Sequence, residues 1–190
     1  MQKLTEISER ELIHSRNIEL KCYMRSENLF DIEAHIHDSK PFTTYSHSIG
    51  TRDPGLAIHD MWLRVTINRE LIIQSAEAVM PTGAHFSCVP ATEIYSELKG
   101  IKIGPGWLKV AKSKLISSKA CTHITELLQQ IGTTAYQGIW GLSLRKEEIA
   151  TKQKLSFSSK LLDTCFGFRK GGELDNRRKK IMQSDEKNKH

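Results

Sequence analysis

The chain has 190 residues, 38% of them hydrophobic and 26% charged, with a formal charge of +6. That composition supports one packed domain with a modest tail and excludes wholesale disorder. The positive charge is mostly local, because residues 168–190 hold eight basic and four acidic side chains and leave a body too close to neutral for a nucleic-acid clamp.

No run of 18 apolar residues occurs, so no membrane span is expected. The polar start MQKLTEISERELIHSR does not read as a secretory signal. Cys22, Cys88, Cys121 and Cys165 are far apart and read as reduced thiols, which makes a cytoplasmic protein the expectation. The P-loop, GxSxG and GxGxxG signatures are absent from the sequence.

In chain order, Ile18, Leu20, Cys22 and Met24 alternate with polar neighbours, as do Phe30, Ile32, Ala34 and Ile36 after a Ser26-Glu27-Asn28 turn. This pattern predicts an antiparallel hairpin with one buried face, ended by Pro41. Residues 43–56, rich in Ser, Thr, Gly and Pro, read as a loop. Residues 61–68 and 71–80 form a second hairpin around Asn68-Arg69-Glu70.

Helical spacing follows at 91–99, 107–115 and 122–140, the last with Ile124, Leu127, Leu128, Ile131 and Ala135 on one side and weakened by Gly132 and Gly138. Residues 143–154 fit one more amphipathic helix, and residues 163–166 form a short apolar island. Strands before helices predict an α+β fold: an antiparallel sheet of about four strands, two hairpins, with helices packed on one face. The expected organisation is a single domain over 1–168 and a basic, disordered tail over 169–190.

Residues with ligand chemistry recur at element ends: His59-Asp60 before a strand, Cys88 before a helix, Cys121 and His123 at the start of the long helix, and Glu126 one turn on. Thiolate, imidazole and carboxylate together make a zinc-type or iron-type set. Each cysteine reads more readily as a buried core residue. His35 and His37 share a strand face and could bind metal together, although a solvated face is the simpler reading.

Two resemblances sharpen these candidates. The chain resembles a bacterial domain family of unknown function over about residues 10–172. The resemblance is carried by Arg16, Asp31-Ile32-Glu33-Ala34, His59-Asp60-Met61, Cys88, Gly104-Pro105-Gly106-Trp107, Cys121-Thr122-His123-Ile124-Thr125-Glu126-Leu127 and Asp163-Thr164-Cys165. Ala120 and Ile124 stand where that family has Gly and Leu.

In its order of parts the chain also resembles, distantly, the U-type iron–sulfur scaffold proteins (the NifU, IscU and SufU group). Asp60 takes the position of their Asp, Ile58 that of their first Cys, and Cys88 and Cys121 those of the other two. This resemblance implies one metal site built from Asp60, Cys88, Cys121 and a histidine, His59 or His123. Loss of the first thiolate suits a single divalent ion, zinc foremost, better than a cluster.

The function expected from these residues is a metal-dependent enzyme, a lyase or hydrolase, acting on a small organic substrate. His123 or His59 would be the general acid or base, and Glu126 the other candidate. The alternatives are a sulfur or metal carrier related to the scaffolds, and a non-enzymatic ligand-binding or regulatory domain. The expected partners are a small molecule and a second copy of the chain, with neither a membrane nor nucleic acid.

Overall fold

The computed structural model describes residues 4–5, 7–25, 28–142, 162–163 and 165–187. The chain divides into two compact units, Met1–Gly141 and Leu142–His190.

The first unit is α+β. Strands β1 (Ser15–Met24), β2 (Phe30–Ser39), β5 (Ala57–Ile67) and β6 (Ile73–Thr82) form an antiparallel sheet in the order β1-β2-β5-β6. Both expected hairpins are present. The loop between them contains a small ribbon of β3 (Thr44–Ser46) and β4 (Gly50–Arg52). Leu71, expected to open the returning strand, has φ of 63° and belongs to the turn. There the Asn68 side-chain oxygen accepts from the Glu70 and Ile72 N–H groups, at 3.1 and 2.9 Å, and β6 starts at Ile73.

Alternation along the strands sorts side chains onto two faces. Phe30, Ile32, Ala34, Ile36 and Asp38 of β2 are buried, as are Met61, Leu63, Val65 and Ile67 of β5. These positions form the inner face. The outer face carries cross-strand polar pairs: Thr66 donates to Asp31 at 2.7 Å, and Arg64 donates to Glu33 at 2.9 Å. β1 is an edge strand, and its inward positions Ile18 and Met24 stay 38% and 51% exposed.

Helices cover the inner face. α2 (Thr122–Leu142) buries Ile124, Leu127, Leu128, Ile131 and Ala135, the side expected from their spacing. It meets β1 where Gly138 lies against Cys22, and β5 where the Cys121 sulfur lies 3.8 Å from that of Met61. α1 (Trp107–Lys114) packs its Trp107 indole on α2.

Residues 86–98, expected to be helical only from 91, form a 3-10 segment with Pro90 inside. Proline removes a backbone donor. Thr92 and Ser96 hydroxyls bond carbonyls three residues back, at 2.9 Å each, in keeping with the tighter winding.

Gly132, a weak point by helix propensity, is closely packed. A Cβ there would stand 3.0–3.2 Å from three atoms of the Trp107 indole. Alanine gains about 1 kcal/mol in propensity but overpacks at a cost of about 1–3 kcal/mol. Gly132→Ala is therefore expected to lower stability by about 1 kcal/mol, read as a lower urea midpoint at unchanged slope.

In the second unit, a 3-10 turn (Phe166–Phe168) precedes α3 (Glu173–Lys187). The tail expected to be disordered from 169 is thus largely helical. Asp175 accepts from the Gly171 N–H at 2.9 Å and pairs with Lys179 at 2.8 Å and Arg178 at 3.3 Å. A carboxylate in the first turn and its i+3 and i+4 cations favour a helix that charge counting alone did not anticipate. Of the apolar island, Phe166 opens the 3-10 turn, and the helix expected at 143–154 lies outside the described residues.

Candidate functional site

The inner sheet face changes character at one end. Its row Phe30, Ile32, Ala34, Ile36 continues into Asp38, and its row Ile67, Val65, Leu63, Met61 continues into His59. Asp38 and His59 are register partners, and so are Arg16 and Asp38. Three chemically active side chains therefore stand side by side on the helix-covered face. The β2–β5 pairing is irregular just beyond, between Asp38 and Ser39. Such breaks in register often re-aim side chains at sites.

Asp38 is fully buried. Arg16 grips it with two parallel bonds of 2.8 Å, and His59 Nδ1 bonds its Oδ2 at 2.8 Å. His14 lies 3.8 Å away. Burial alone would push the carboxyl up, but the Arg16 and His59 hydrogen bonds outweigh it and hold it at about 2. An ionised Asp38 only accepts, so His59 Nδ1 is the donor, and in the neutral ring Nε2 then carries the free lone pair.

The start of α2 brings the rest. The His123 ring centre lies 4.2 Å from that of His59, and the Cys121 sulfur lies 3.9 Å from His123 Nδ1. Burial first, then the neighbouring His59 and Arg16, pull the His123 pKa down. Its neutral form is the one that ligates metals or accepts protons. Glu126 is exposed and accepts from Arg16 Nη1 at 3.4 Å.

The helix start is itself anchored. The buried Tyr95 hydroxyl donates to the Cys121 carbonyl at 2.6 Å and lies 2.8 Å from the Thr125 hydroxyl.

Of the expected ligands, His59 and His123 come together, with Cys121 beside His123 and Glu126 at the rim. Asp60 does not join them. It follows His59 on a strand, so its side chain emerges on the outer face, where it bonds His35 at 2.8 Å. Cys88, at the start of the 3-10 segment beside Gly83, joins neither group of ligand atoms among the described residues. The ligand set implied by the scaffold resemblance is therefore not assembled.

Asp38 takes the place expected for Asp60. The signal was present in the sequence: Asp38 continues an apolar inward row, and a buried carboxylate needs partners.

Two clusters among the described residues have ligand atoms within 4.8 Å of one another: Asp38, His59 and His123 inside, and His35, His37 and Asp60 outside. The structure thus contains candidate His/Asp metal-ligand groups. No helix of the described residues is long and apolar enough to cross a membrane.

The chain matches no curated protein and no solved structure. A family model described as "Protein of unknown function (DUF2889)" matches residues 14–137. That span covers β1 to most of α2 and includes every residue of both clusters. The chain is a member of the DUF2889 family of proteins of unknown function.

Proposed function

We propose that this domain holds one divalent ion of the zinc type between His59 and His123, and uses it on a small organic molecule. The observation that carries this reading is the buried Asp38–His59 hydrogen bond of 2.8 Å beside a second imidazole. A carboxylate behind a histidine is the usual support of a metal-ligating imidazole, fixing its tautomer and orientation.

Asp38 serves as that support and not as a ligand, because Arg16 already occupies both its oxygens. Cys121 is the third ligand. A tetrahedral zinc with ~2.0 Å bonds to nitrogen and ~2.3 Å to sulfur separates the two by about 3.6 Å. The Cys121–His123 separation is 3.9 Å, but Cys121 lies outside the group of ligand atoms within 4.8 Å that Asp38, His59 and His123 form, so its sulfur must swing toward His59 to ligate. Two imidazoles and a thiolate leave the fourth position for water or substrate, the pattern of catalytic zinc. Glu126 at the rim is then the acid/base residue.

A metal-free alternative rests on the same hydrogen bond: Asp38 orients His59 as a general base.

Metal analysis of the purified full chain separates the two. The metal-centred reading expects an ion that chelator removes and zinc restores, with Cys121→Ser weakening it and Cys88→Ser leaving it unchanged. A chain that takes up no ion at the inner cluster would leave the general-base reading.

A further inference from the structure

The outer face of the sheet carries a second constellation that the inner site does not use. His35 and His37 lie two apart on β2, and Asp60 is the register partner of His37 on β5. β2 and β5 are the two central strands, so the three side chains stand on the stiffest part of the sheet. All three are partly shielded, with His35 and Asp60 side chains 22% and 29% exposed.

His35 is fixed twice. Its Nε2 bonds Asp60 Oδ1 at 2.8 Å, and its ring stacks on its cross-strand neighbour Trp62 at 3.9 Å and 8°. The His37 ring centre lies 6.2 Å from that of His35. Elsewhere on this face the acidic side chains have other partners: Glu33 has Arg64, and Asp31 has Thr66. Asp60 has imidazole.

We infer that His35, His37 and Asp60 form a second, solvent-facing site for a divalent first-row transition metal on the opposite side of the sheet from His59 and His123. One ligand atom from each lies within 4.8 Å of the other two. Bonds of ~2.0–2.2 Å to a shared tetrahedral ion place ligand atoms ~3.3–3.6 Å apart, so binding requires only small side-chain rotations. Two imidazoles and one carboxylate suit Zn²⁺, Ni²⁺ and Cu²⁺ and leave positions open to water or a ligand. Nothing in this inference depends on the inner site being occupied.

The test uses the full chain and Cu²⁺ alone. Trp62 stacks on a proposed ligand, so the ion should quench its emission. Saturating Cu²⁺ is expected to quench tryptophan emission in the His59→Ala/His123→Ala background, and Trp62→Phe should remove that quench. His37→Gln/Asp60→Asn should weaken the Cu²⁺ titration at least tenfold, with a far-ultraviolet circular dichroism spectrum like that of the parent. The single change His37→Gln provides a milder variant should the double one unfold. A titration unchanged by His37→Gln, or a quench that survives Trp62→Phe, overturns the outer site. Loss of ion from the His59/His123 variant alone bears on the inner site only, so the two failures are distinguishable.

Discussion

Asp38→Asn is expected to destabilise the first unit by about 2–4 kcal/mol, near the lower end of what breaking a buried ion pair costs. The variant leaves the Arg16 guanidinium and the His59 ring facing a neutral amide. Arg16 is one-third exposed and can turn toward water, which moderates the loss. At about 2–4 °C per kcal/mol for a unit of this size, the melting temperature should fall by roughly 4–16 °C.

Part of that loss is linked to protons. The native carboxyl titrates at about 2, against 3.8 for an unperturbed one. Its pKa is depressed on folding, so its contribution is fully present above about pH 4 and disappears as the pH falls toward 2. With allowance for solvent near the site, this proton-linked share is about 1–2 kcal/mol. Urea melts of metal-free wild type and variant at pH 7 and pH 2.5 should therefore differ strongly at the first and much less at the second. A gap that is the same at both pH values would show that Asp38 is not held as a paired carboxylate.

The second large effect concerns the ion. His59→Ala and His123→Ala should each weaken Zn²⁺ binding at the inner cluster by at least ~100-fold. Asp38→Asn, which removes the support and not a ligand, should cost about 10–100-fold. Zinc at a hundred times its dissociation constant stabilises a one-site protein by about 2.7 kcal/mol. In a His37→Gln background, which removes the outer site, the chain should therefore gain that in a melt and lose it to chelator, while the two alanine variants gain little. Asp60→Asn should behave as wild type in an assay of the inner site, since its side chain lies across the sheet. Equal zinc stabilisation with and without His123→Ala in that background would remove the metal-centred reading of the inner cluster.

Much of this architecture is legible in the chain because it rests on local periodicity. The two hairpins follow from alternation around Asn28 and Asn68, and α2 from the spacing of Ile124, Leu127, Leu128, Ile131 and Ala135. The helix after Gly172 is not legible in composition because its stabilisation is positional. One carboxylate in the first turn serves a backbone N–H and two cations, and a charge count does not register that.

The amino-acid sequence by itself determined the fold class, the inward rows of the strands, and His59, Cys121 and His123 as residues with ligand chemistry. Only the tertiary structure decided which of them meet. Adjacent residues on a strand point to opposite faces, so His59 and Asp60 belong to different clusters despite being neighbours in the chain. Strand pairing supplies partners from far away instead: Arg16 and His59 reach Asp38 across 22 and 21 residues. Spacing along a chain cannot reveal such a site, because register and helix placement assemble it.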